Sequence, residues 1–292
     1  MQTDKDFFKL MKESYSTEPR KAFVSDTEYI LRKNAKRLNR KRTFKIVSIT
    51  ASSVLVFVIS ILWLFSFPET EQKSSLIGEN SRDEPFIYIY HTHNQESFNS
   101  VTKTVDANGA FHPSTNITLV GEKLSQALNN KSIITLHEKR DVMKELGEKG
   151  LSYEESYAVS REFLQSTLEE NPSIKMIFDI HRDSQPRDVT TATINGDDYA
   201  KISFIVSKTS ERYIENLKFA LAIHTLMEEE YPGLSRGVIE KSAAENQNTY
   251  NQDLRNESLL MEIGGVDNTL EEEYRAIDIL ADVIGKIIKK RE

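Results

Sequence analysis

The stretch KMIFDIHRDS, residues 175–184, gives the strongest indication of the fold. Its first six residues, 175–180, form a mainly apolar run, typical of a strand buried in the middle of a parallel sheet. The polar residues His181, Arg182 and Asp183 follow directly. Because open parallel sheets bind ligands at the carboxyl ends of their strands, this stretch predicts an α/β domain with a polar site at one edge of the sheet.

Predicted strands and helices alternate on both sides of this stretch. Upstream, the strand 86–90 (FIYIY) ends at the motif HTHNQES, and downstream the strand 259–263 (LLMEI) ends at two glycines. The other predicted elements are helices at 119–129, 152–171, 210–231 and 270–290 and strands at 133–136, 189–194 and 202–206, the last two flanking the turn signal Asn195-Gly196. This alternation predicts an open, mostly parallel sheet with helices on both faces.

The amino-terminal third of the chain has a different character. Residues 46–67 contain no charged side chain, and a helix of that length spans roughly 33 Å, enough to cross a bilayer. More than 40 residues precede this span and no small-residue cleavage site follows Phe67, which disfavours a cleaved signal peptide. We therefore predict that one transmembrane helix precedes the α/β domain.

Charge gives the predicted orientation and excludes one class of partner. The first 45 residues carry 13 Lys and Arg against 6 Asp and Glu, and the rest of the chain carries 25 against 39. The positive-inside rule therefore places the amino terminus in the cytosol, where a basic tail attracts anionic lipids. The acidic remainder has no electrostatic reason to bind nucleic acid. The predicted organisation is a cytosolic tail (1–43), a transmembrane helix (44–67), a polar linker (68–84) and an extracytoplasmic catalytic domain (85–292).

The histidines indicate a metal site. The chain has six histidines and no cysteine, which excludes disulfides and Cys-ligated zinc. A catalytic zinc site then needs about three His or carboxylate ligands, an open position for water and a carboxylate that takes a proton from that water. His93, Glu96 and His181 are the candidate ligands, and Glu262 is the candidate base. Strand alternation puts His91 on the same face as His93, so His91 is either a ligand or a residue that orients a ligand or the substrate.

The surroundings of the other candidates separate functional from structural readings. Glu262 interrupts an apolar strand, and a buried carboxylate is costly unless it is paired, hydrogen-bonded or bound to a metal. By contrast, His112, His137 and His224 lack a comparable acidic neighbourhood, and we interpret them as structural.

Four further residues are candidates for substrate binding. Arg182 and Asp183 either form an ion pair that shapes the site or leave Arg182 to hold a substrate carboxylate. Asn251 and Gln252 belong to the polar run YNQDL, 250–254, whose side chains suit hydrogen bonds to peptide or sugar groups. A solvated loop is the alternative for this run.

Four motifs in this order resemble the stage II sporulation protein P family: HTHNQES (91–97), DIHRD (179–183), NQDL (251–254) and EIGG (262–265). The resemblance covers about 85–292. It implies a membrane-anchored peptidoglycan hydrolase with a fold like that of the zinc-dependent N-acetylmuramoyl-L-alanine amidases. The resemblance further implies cleavage of the amide between N-acetylmuramic acid and the stem peptide, and of stem-peptide cross-links, during engulfment of the forespore. The implied partners are stage II sporulation proteins D and M.

The resemblance also implies residue roles. His93, Glu96 and His181 would be zinc ligands and Glu262 the catalytic carboxylate. In the broader amidases the ligand glutamate lies farther from the first histidine, on the following helix, which makes Glu122 the alternative to Glu96.

Two other functions remain open at this point. Metal-dependent phosphoesterases and amidohydrolase barrels also carry His-x-His after a first strand, but they draw further histidines from later strands, where this chain offers only His181. A non-catalytic wall-binding module that activates a partner hydrolase would need neither zinc nor Glu262.

Overall fold

The computed structural model describes residues 84–104, 109–242 and 244–291. The predicted tail (1–43), transmembrane helix (44–67) and linker (68–84) lie outside these residues, apart from Glu84. Within the described ranges, none of the helices combines the length and the apolar character that a bilayer crossing requires.

The described chain alternates strands and helices, as predicted. The strands are β1 (Ile87–Tyr90), β2 (Thr135–His137), β3 (Met176–Asp183), β4 (Thr191–Ile194), β5 (Asp197–Ala200), β6 (Ile202–Ser207), β7 (Ser235–Lys241) and β8 (Ser258–Gly265). The α-helices are α1 (Asn99–Thr102), α2 (Thr118–Asn129), α3 (Val142–Lys149), α4 (Ser156–Glu170), α5 (Arg187–Thr190), α6 (Tyr213–Glu230) and α7 (Leu270–Lys289). Short 3-10 helices cover Tyr153–Glu155 and Glu245–Asn251.

Six of these strands form one mixed sheet in the order β2-β1-β3-β8-β6-β7. Strands β2, β1, β3 and β8 run parallel to one another. Strand β6 is antiparallel to β8, and β7 is parallel to β6. The prediction of a mostly parallel sheet is confirmed, and the two strands beyond β8 run in the reverse direction.

Helices pack on both faces of the sheet. Alternate residues of a strand point to opposite faces, so each strand contributes to two cores. Ile87 and Ile89 of β1 pack in the core formed with α2, α6 and α7. Tyr88 and Tyr90 pack with α3 and α4. On this second face, a small apolar cluster that includes Ile205 of β6 continues beyond the helical cover. The sheet surface there forms the floor of a cleft.

The predicted turn at Asn195-Gly196 joins a different pair of strands from the one expected. Both residues have positive φ angles of 54° and 93°, as a two-residue hairpin turn requires. They connect β4 to β5 in a separate two-stranded sheet, whereas we predicted that β6 would follow the turn. The predicted strand 189–194 is shorter in the structure because its first residues belong to α5.

Candidate metal centre

Three residues predicted as metal ligands lie together at the carboxyl ends of β1 and β3. One potential ligand atom from each of His93, Glu96 and His181 lies within 4.8 Å of the others. Oε1 of Glu96 is 3.6 Å from Nδ1 of His93, and Oε2 is 3.4 Å from Nδ1 of His181. The two imidazole rings are nearly perpendicular, with centroids 5.0 Å apart. The cluster therefore directs two nitrogens and a carboxylate toward one region, and the role of these residues as ligands stays a prediction.

A single buried carboxylate links the chain segments that carry the two histidines. Asp179 of β3 accepts hydrogen bonds from the backbone nitrogen and the hydroxyl of Thr92, at 2.9 and 2.7 Å. Oδ1 of Asp179 also lies 2.9 Å from Nε2 of His181. Because Thr92 immediately precedes His93, Asp179 fixes the His93 segment and contacts His181 directly. The available signal for this residue in the sequence is an acid inside the mainly apolar run 175–180.

The remaining ring nitrogen of His93 is also occupied. Its Nε2 lies 2.9 Å from the hydroxyl of Ser156 at the start of α4, and Tyr153 stacks on the ring with centroids 4.5 Å apart. Nε2 of His93 thus contacts Ser156 and Nε2 of His181 lies close to Asp179, which leaves Nδ1 of both rings facing Glu96. A set of two imidazole nitrogens and one carboxylate fits the donor preference of zinc.

The charges in the cluster reverse the effect of burial on the pKa values. Burial alone would raise the pKa of Glu96 and lower that of His181. The charge of His181 and hydrogen bonds from both histidines instead hold the pKa of Glu96 well below its usual range. Against the same burial, Asp179 and Glu96 raise the pKa of His181 to about 10. A cation at this position is therefore strongly stabilised, and a divalent metal competes with the proton for His181.

Glu262 faces the same cleft from the neighbouring strand. It lies directly opposite His181 in the parallel pairing of β3 and β8, where strands are about 4.8 Å apart. Its Oε2 accepts a hydrogen bond from the hydroxyl of Ser203 at 2.9 Å, and its Oε1 is 3.6 Å from Nζ of Lys241. Glu262 and the ligand cluster line a cleft of about 650 Å³. Its position is that of a carboxylate able to exchange protons with a molecule in the cleft.

His91 lies on the other side of β1, and the prediction that it shares a face with His93 is wrong. Its Nδ1 donates to the carbonyl of Ile180 at 2.9 Å, and its Nε2 is 3.0 Å from Nε2 of His137. The ring packs against Gly121 of α2, so closely that a Cβ atom there would clash with it. The alternation fails because β1 ends at Tyr90. His91 instead holds the backbone next to His181.

The alternative ligand Glu122 is also separated from the cluster. It lies on α2, its side chain is partly exposed, and its carboxylate is 3.6 Å from Nζ of Lys139. Among the described residues, the carboxylate grouped with the two histidines is that of Glu96. The geometry therefore favours Glu96 over Glu122.

Arg182 and Asp183 point away from each other because they are consecutive residues of β3. Arg182 is buried, and its Nε donates to the carbonyl of Ser97 at 2.9 Å while its backbone nitrogen lies 3.3 Å from Oε2 of Glu96. Asp183 pairs with Arg236 at 2.6 Å. Arg182 thus anchors the segment that carries Glu96, and the predicted contact of either residue with substrate stays a prediction.

Asn251 and Gln252 are buried inside the protein, and their predicted contact with substrate stays a prediction. Nδ2 of Asn251 donates to the hydroxyl of Ser160 at 3.0 Å. Gln252 accepts from the backbone of Ser207 and donates to that of Ile205, both at 2.8 Å. Both amides therefore hold internal hydrogen bonds, and we assign them a positioning role.

The structure also places aromatic residues in the cleft that were not predicted to lie there. Tyr153 and Phe111 are exposed at its mouth, with side chains 47% and 39% accessible. Tyr250 lines it from a backbone in which residues 249–251 all have φ near +55°, a conformation that costs energy for residues other than glycine. The helical spacing of Tyr153 and Tyr157 in the sequence is more typical of a core than of a cleft. The sequence therefore did not predict that tyrosines line the cleft.

Comparisons with known proteins agree with the motifs. The sequence model of the family "Stage II sporulation protein P" matches residues 9–285. Stage II sporulation protein P of Bacillus subtilis (strain 168) is 43% identical over 210 residues, which cover 72% of this chain and 52% of that protein. The chain thus spans about half the length of this curated relative.

Solved structures show more distant similarity. The CwlD amidase from Clostridioides difficile in complex with the GerS lipoprotein aligns with a TM-score of 0.45 and 12% identity, over 70% of this chain and 97% of that chain. The putative N-acetylmuramoyl-L-alanine amidase from Neisseria meningitidis aligns with a TM-score of 0.35 and 8% identity, over 70% and 96%. Similarity at this level identifies neither a substrate nor a metal. The family match extends over most of the sequence and includes all four motifs, and the chain belongs to the stage II sporulation protein P family.

Proposed function

We propose that this protein is a membrane-anchored, zinc-dependent peptidoglycan hydrolase that cleaves the N-acetylmuramoyl-L-alanine amide during sporulation. The observation that carries the proposal is the grouping of His93, Glu96 and His181 within 4.8 Å, with Glu262 paired to His181 across β3 and β8. Membership of the stage II sporulation protein P family supports the sporulation context and the cell-wall substrate.

The residues present fit zinc, as the donor set and the partners of both histidines indicate. His93, Glu96 and His181 would hold the ion through Nδ1, a carboxylate oxygen and Nδ1. Bound there, zinc supplies a Lewis acid that polarises the scissile carbonyl and increases the acidity of water. The partly exposed side of the cluster faces the cleft, which allows substrate to approach.

Glu262 is the proposed general base and acid. Its carboxylate accepts the proton of the attacking water and then gives it to the leaving amine nitrogen. The hydrogen bond from Ser203 and the nearby ammonium of Lys241 hold this carboxylate in place. The same proton transfers apply to amides within stem-peptide cross-links, so we propose endopeptidase cleavage as a second activity.

We propose that the enzyme acts on the outer side of the cell membrane. The uncharged stretch 46–67, preceded by Lys and Arg and followed by acidic residues, supports a single span with a cytosolic amino terminus. The family suggests stage II sporulation proteins D and M as partners in the same membrane.

The proposal is tested by mass spectrometry of the products released from purified peptidoglycan by the full-length protein. We expect free stem peptides with zinc, and none with a chelator or with Glu262→Ala. Glu240→Ala, which removes an exposed carboxylate of β7, is the matched control and should retain activity.

Each alternative gives a different product pattern. Separation of cross-linked dimers into monomers would add endopeptidase activity. No soluble product with zinc, combined with retained binding to peptidoglycan, would contradict the hydrolase and favour a wall-binding module. Release that persists in both the chelator and Glu262→Ala arms would rule out the metal site as the centre of catalysis.

A further inference from the structure

The cleft around Glu262 has two chemically different ends, because the sheet order separates them. The order β1-β3-β8-β6-β7 places the His93 segment at one end, His181 and Glu262 in the middle, and Lys241 on the edge strand at the other end. Residues of both ends line the same cleft. A ligand lying across the metal centre therefore meets both ends.

The end next to β1 is aromatic. Phe111 packs edge-to-face against Tyr153, with ring centroids 6.4 Å apart, and Tyr153 stacks on His93. Among the exposed large hydrophobic side chains of the described residues, two are aromatic, and they are Phe111 and Tyr153. Exposed aromatic faces concentrated at the mouth of a cleft indicate a binding surface for a ligand that is neutral and amphipathic.

The end next to β7 is cationic. Lys241 is the last residue of β7, its side chain is 46% exposed, and its ammonium lies 3.6 Å from Glu262. An ammonium group has three N–H donors, so contact with Glu262 leaves Lys241 able to bind a second carboxylate. Arg236 of the same strand is already paired with Asp183.

We propose that these two ends orient the substrate: the aromatic pair Phe111–Tyr153 binds the sugar rings, and Lys241 binds a carboxylate of the stem peptide. This inference rests on the proposed function. An amide that joins a neutral glycan to an acidic peptide has one partner for each end, and its scissile bond then lies over His181 and Glu262. The reverse orientation would leave the peptide carboxylates without a cation and place neutral sugars against Lys241.

The position of the ammonium agrees with this arrangement. Nζ of Lys241 lies 3.6 Å from the carboxylate of Glu262, so it reaches a substrate carboxylate that lies close to the scissile amide. Lys241 is therefore a determinant of which peptide is accepted.

The test uses full-length, zinc-loaded protein and three synthetic amide substrates. The first is a disaccharide-tripeptide with free carboxylates. The second replaces both sugars by a lactyl group on the same peptide, and the third keeps the sugars but carries amidated carboxylates. For each substrate, kcat and KM are measured separately, and binding to the Glu262→Gln protein is measured by calorimetry.

The two ends should respond to different substrates. We expect Tyr153→Ala to raise KM about 3–10-fold for the first and third substrates and to leave the lactyl-peptide unchanged. We expect Lys241→Met to raise KM about 3–10-fold for the first two substrates but not for the amidated one, whereas a change in kcat that acts through Glu262 is shared by all three substrates. Tyr153→Phe and Lys241→Arg should restore KM, and Leu221→Ala, an exposed residue of α6, should change nothing.

Zinc content of each variant is measured because Tyr153 touches His93. If Tyr153→Ala loses zinc, Phe111→Ala takes its place, since that side chain contacts Tyr153, and the same KM pattern is expected. A loss that is equal for the lactyl-peptide and the disaccharide substrate, or no loss in any variant, overturns the proposed orientation. If the unmodified protein cleaves none of the three substrates, the proposed function fails instead.

Discussion

The two sides of strand β1 place buried histidines in opposite electrostatic settings. On one side, Asp179 and Glu96 raise the pKa of His181 to about 10. On the other side, His91 and His137 face each other through Nε2 atoms 3.0 Å apart. There burial, together with the partner imidazole, lowers the pKa of His91 to about 3, and burial lowers that of His137 to about 4.

This difference shows that neighbours, and not residue type, decide what a buried histidine does. A histidine between carboxylates holds a positive charge, so a metal cation can replace its proton. A buried histidine whose nearest polar partner is another imidazole stays neutral and serves as a hydrogen-bonding spacer between packed elements. The predictions below test this contrast by removing one feature at a time.

The largest expected effect is a loss of zinc when His181 is replaced, whereas zinc is retained when His91 on the other side of β1 is replaced. His181→Ala removes a ligand, and we expect zinc affinity to fall by more than about 100-fold, beyond the loss typical for a residue that only orients a ligand. His91→Gln keeps a hydrogen-bonding side chain on the other side and should retain zinc. Metal content after dialysis, measured by mass spectrometry, compares the two variants.

Equal loss of zinc in both variants would show that His91 belongs to the metal centre. Circular dichroism controls for folding, because His91 is buried and its replacement changes packing.

The second prediction separates catalysis from metal binding. Glu262→Gln keeps the shape of the side chain but removes its basicity, and we expect turnover to fall about 10²–10⁴-fold with zinc retained. Single-turnover release of stem peptides measures this loss. A variant that cleaves at the normal rate would exclude Glu262 as the base, and a variant that loses zinc would place it among the ligands.

The third prediction concerns the carboxylate that distinguishes the two sides. Asp179→Asn removes the charge next to His181 and one acceptor for Thr92, and we expect zinc affinity to fall about 10–100-fold. Competition with a zinc-binding dye measures the change. Asp141→Asn is the matched control, because Asp141 accepts bonds from Asn94 and Gln95 of the same loop but contacts neither histidine ligand. Equal loss in both would attribute the effect to loop order.

The sequence alone predicted the part of the site that follows buried strands. Apolar runs predicted the strands β1, β3 and β8. Because parallel strands bring their carboxyl ends to one edge of the sheet, the grouping of His93, Glu96 and His181 followed from the predicted topology. The orientation of His91 did not follow, because alternation holds only while the strand continues. The strand was predicted to end at Tyr90, as β1 does, but the alternation was applied beyond that end to His91 and His93.

The other end of the cleft was not predictable for a different reason. Strand β7, Ser235–Lys241, is an edge strand whose residues are largely half-buried, so its sequence SRGVIEK shows neither an apolar run nor regular alternation. Lys241 consequently had no predicted neighbour. The burial of Asn251 also depends on three consecutive residues with positive φ. None of the three is a glycine, so the sequence gives no signal for this backbone conformation.

The same contrast between partnered and unpartnered buried groups recurs in two consecutive glutamates of α7, where no metal is involved. Glu272 accepts hydrogen bonds from Arg187 and Asn268 at 2.6 and 2.8 Å, and these partners lower its pKa in spite of burial. Glu273 is fully buried, and neither of its oxygens has a hydrogen-bond partner among the described residues. Burial and the charge of Glu272 raise the pKa of Glu273 well above its usual value.

The fourth and smallest effect is therefore a pH-dependent change in stability without a change in zinc affinity. A raised pKa means that the folded protein binds the proton more tightly than the unfolded chain, so the contribution of Glu273 is favourable below about pH 4.3 and is lost as pH rises. We expect Glu273→Gln to match the unmodified protein near pH 4 and to gain relative stability above it, by at most about 1.4 kcal/mol per pH unit. Urea unfolding between pH 4 and 8 measures the difference. Glu272→Gln should change stability in the opposite direction, because its lowered pKa stabilises the folded state at neutral pH, and equal behaviour of the two variants would contradict the argument from neighbours.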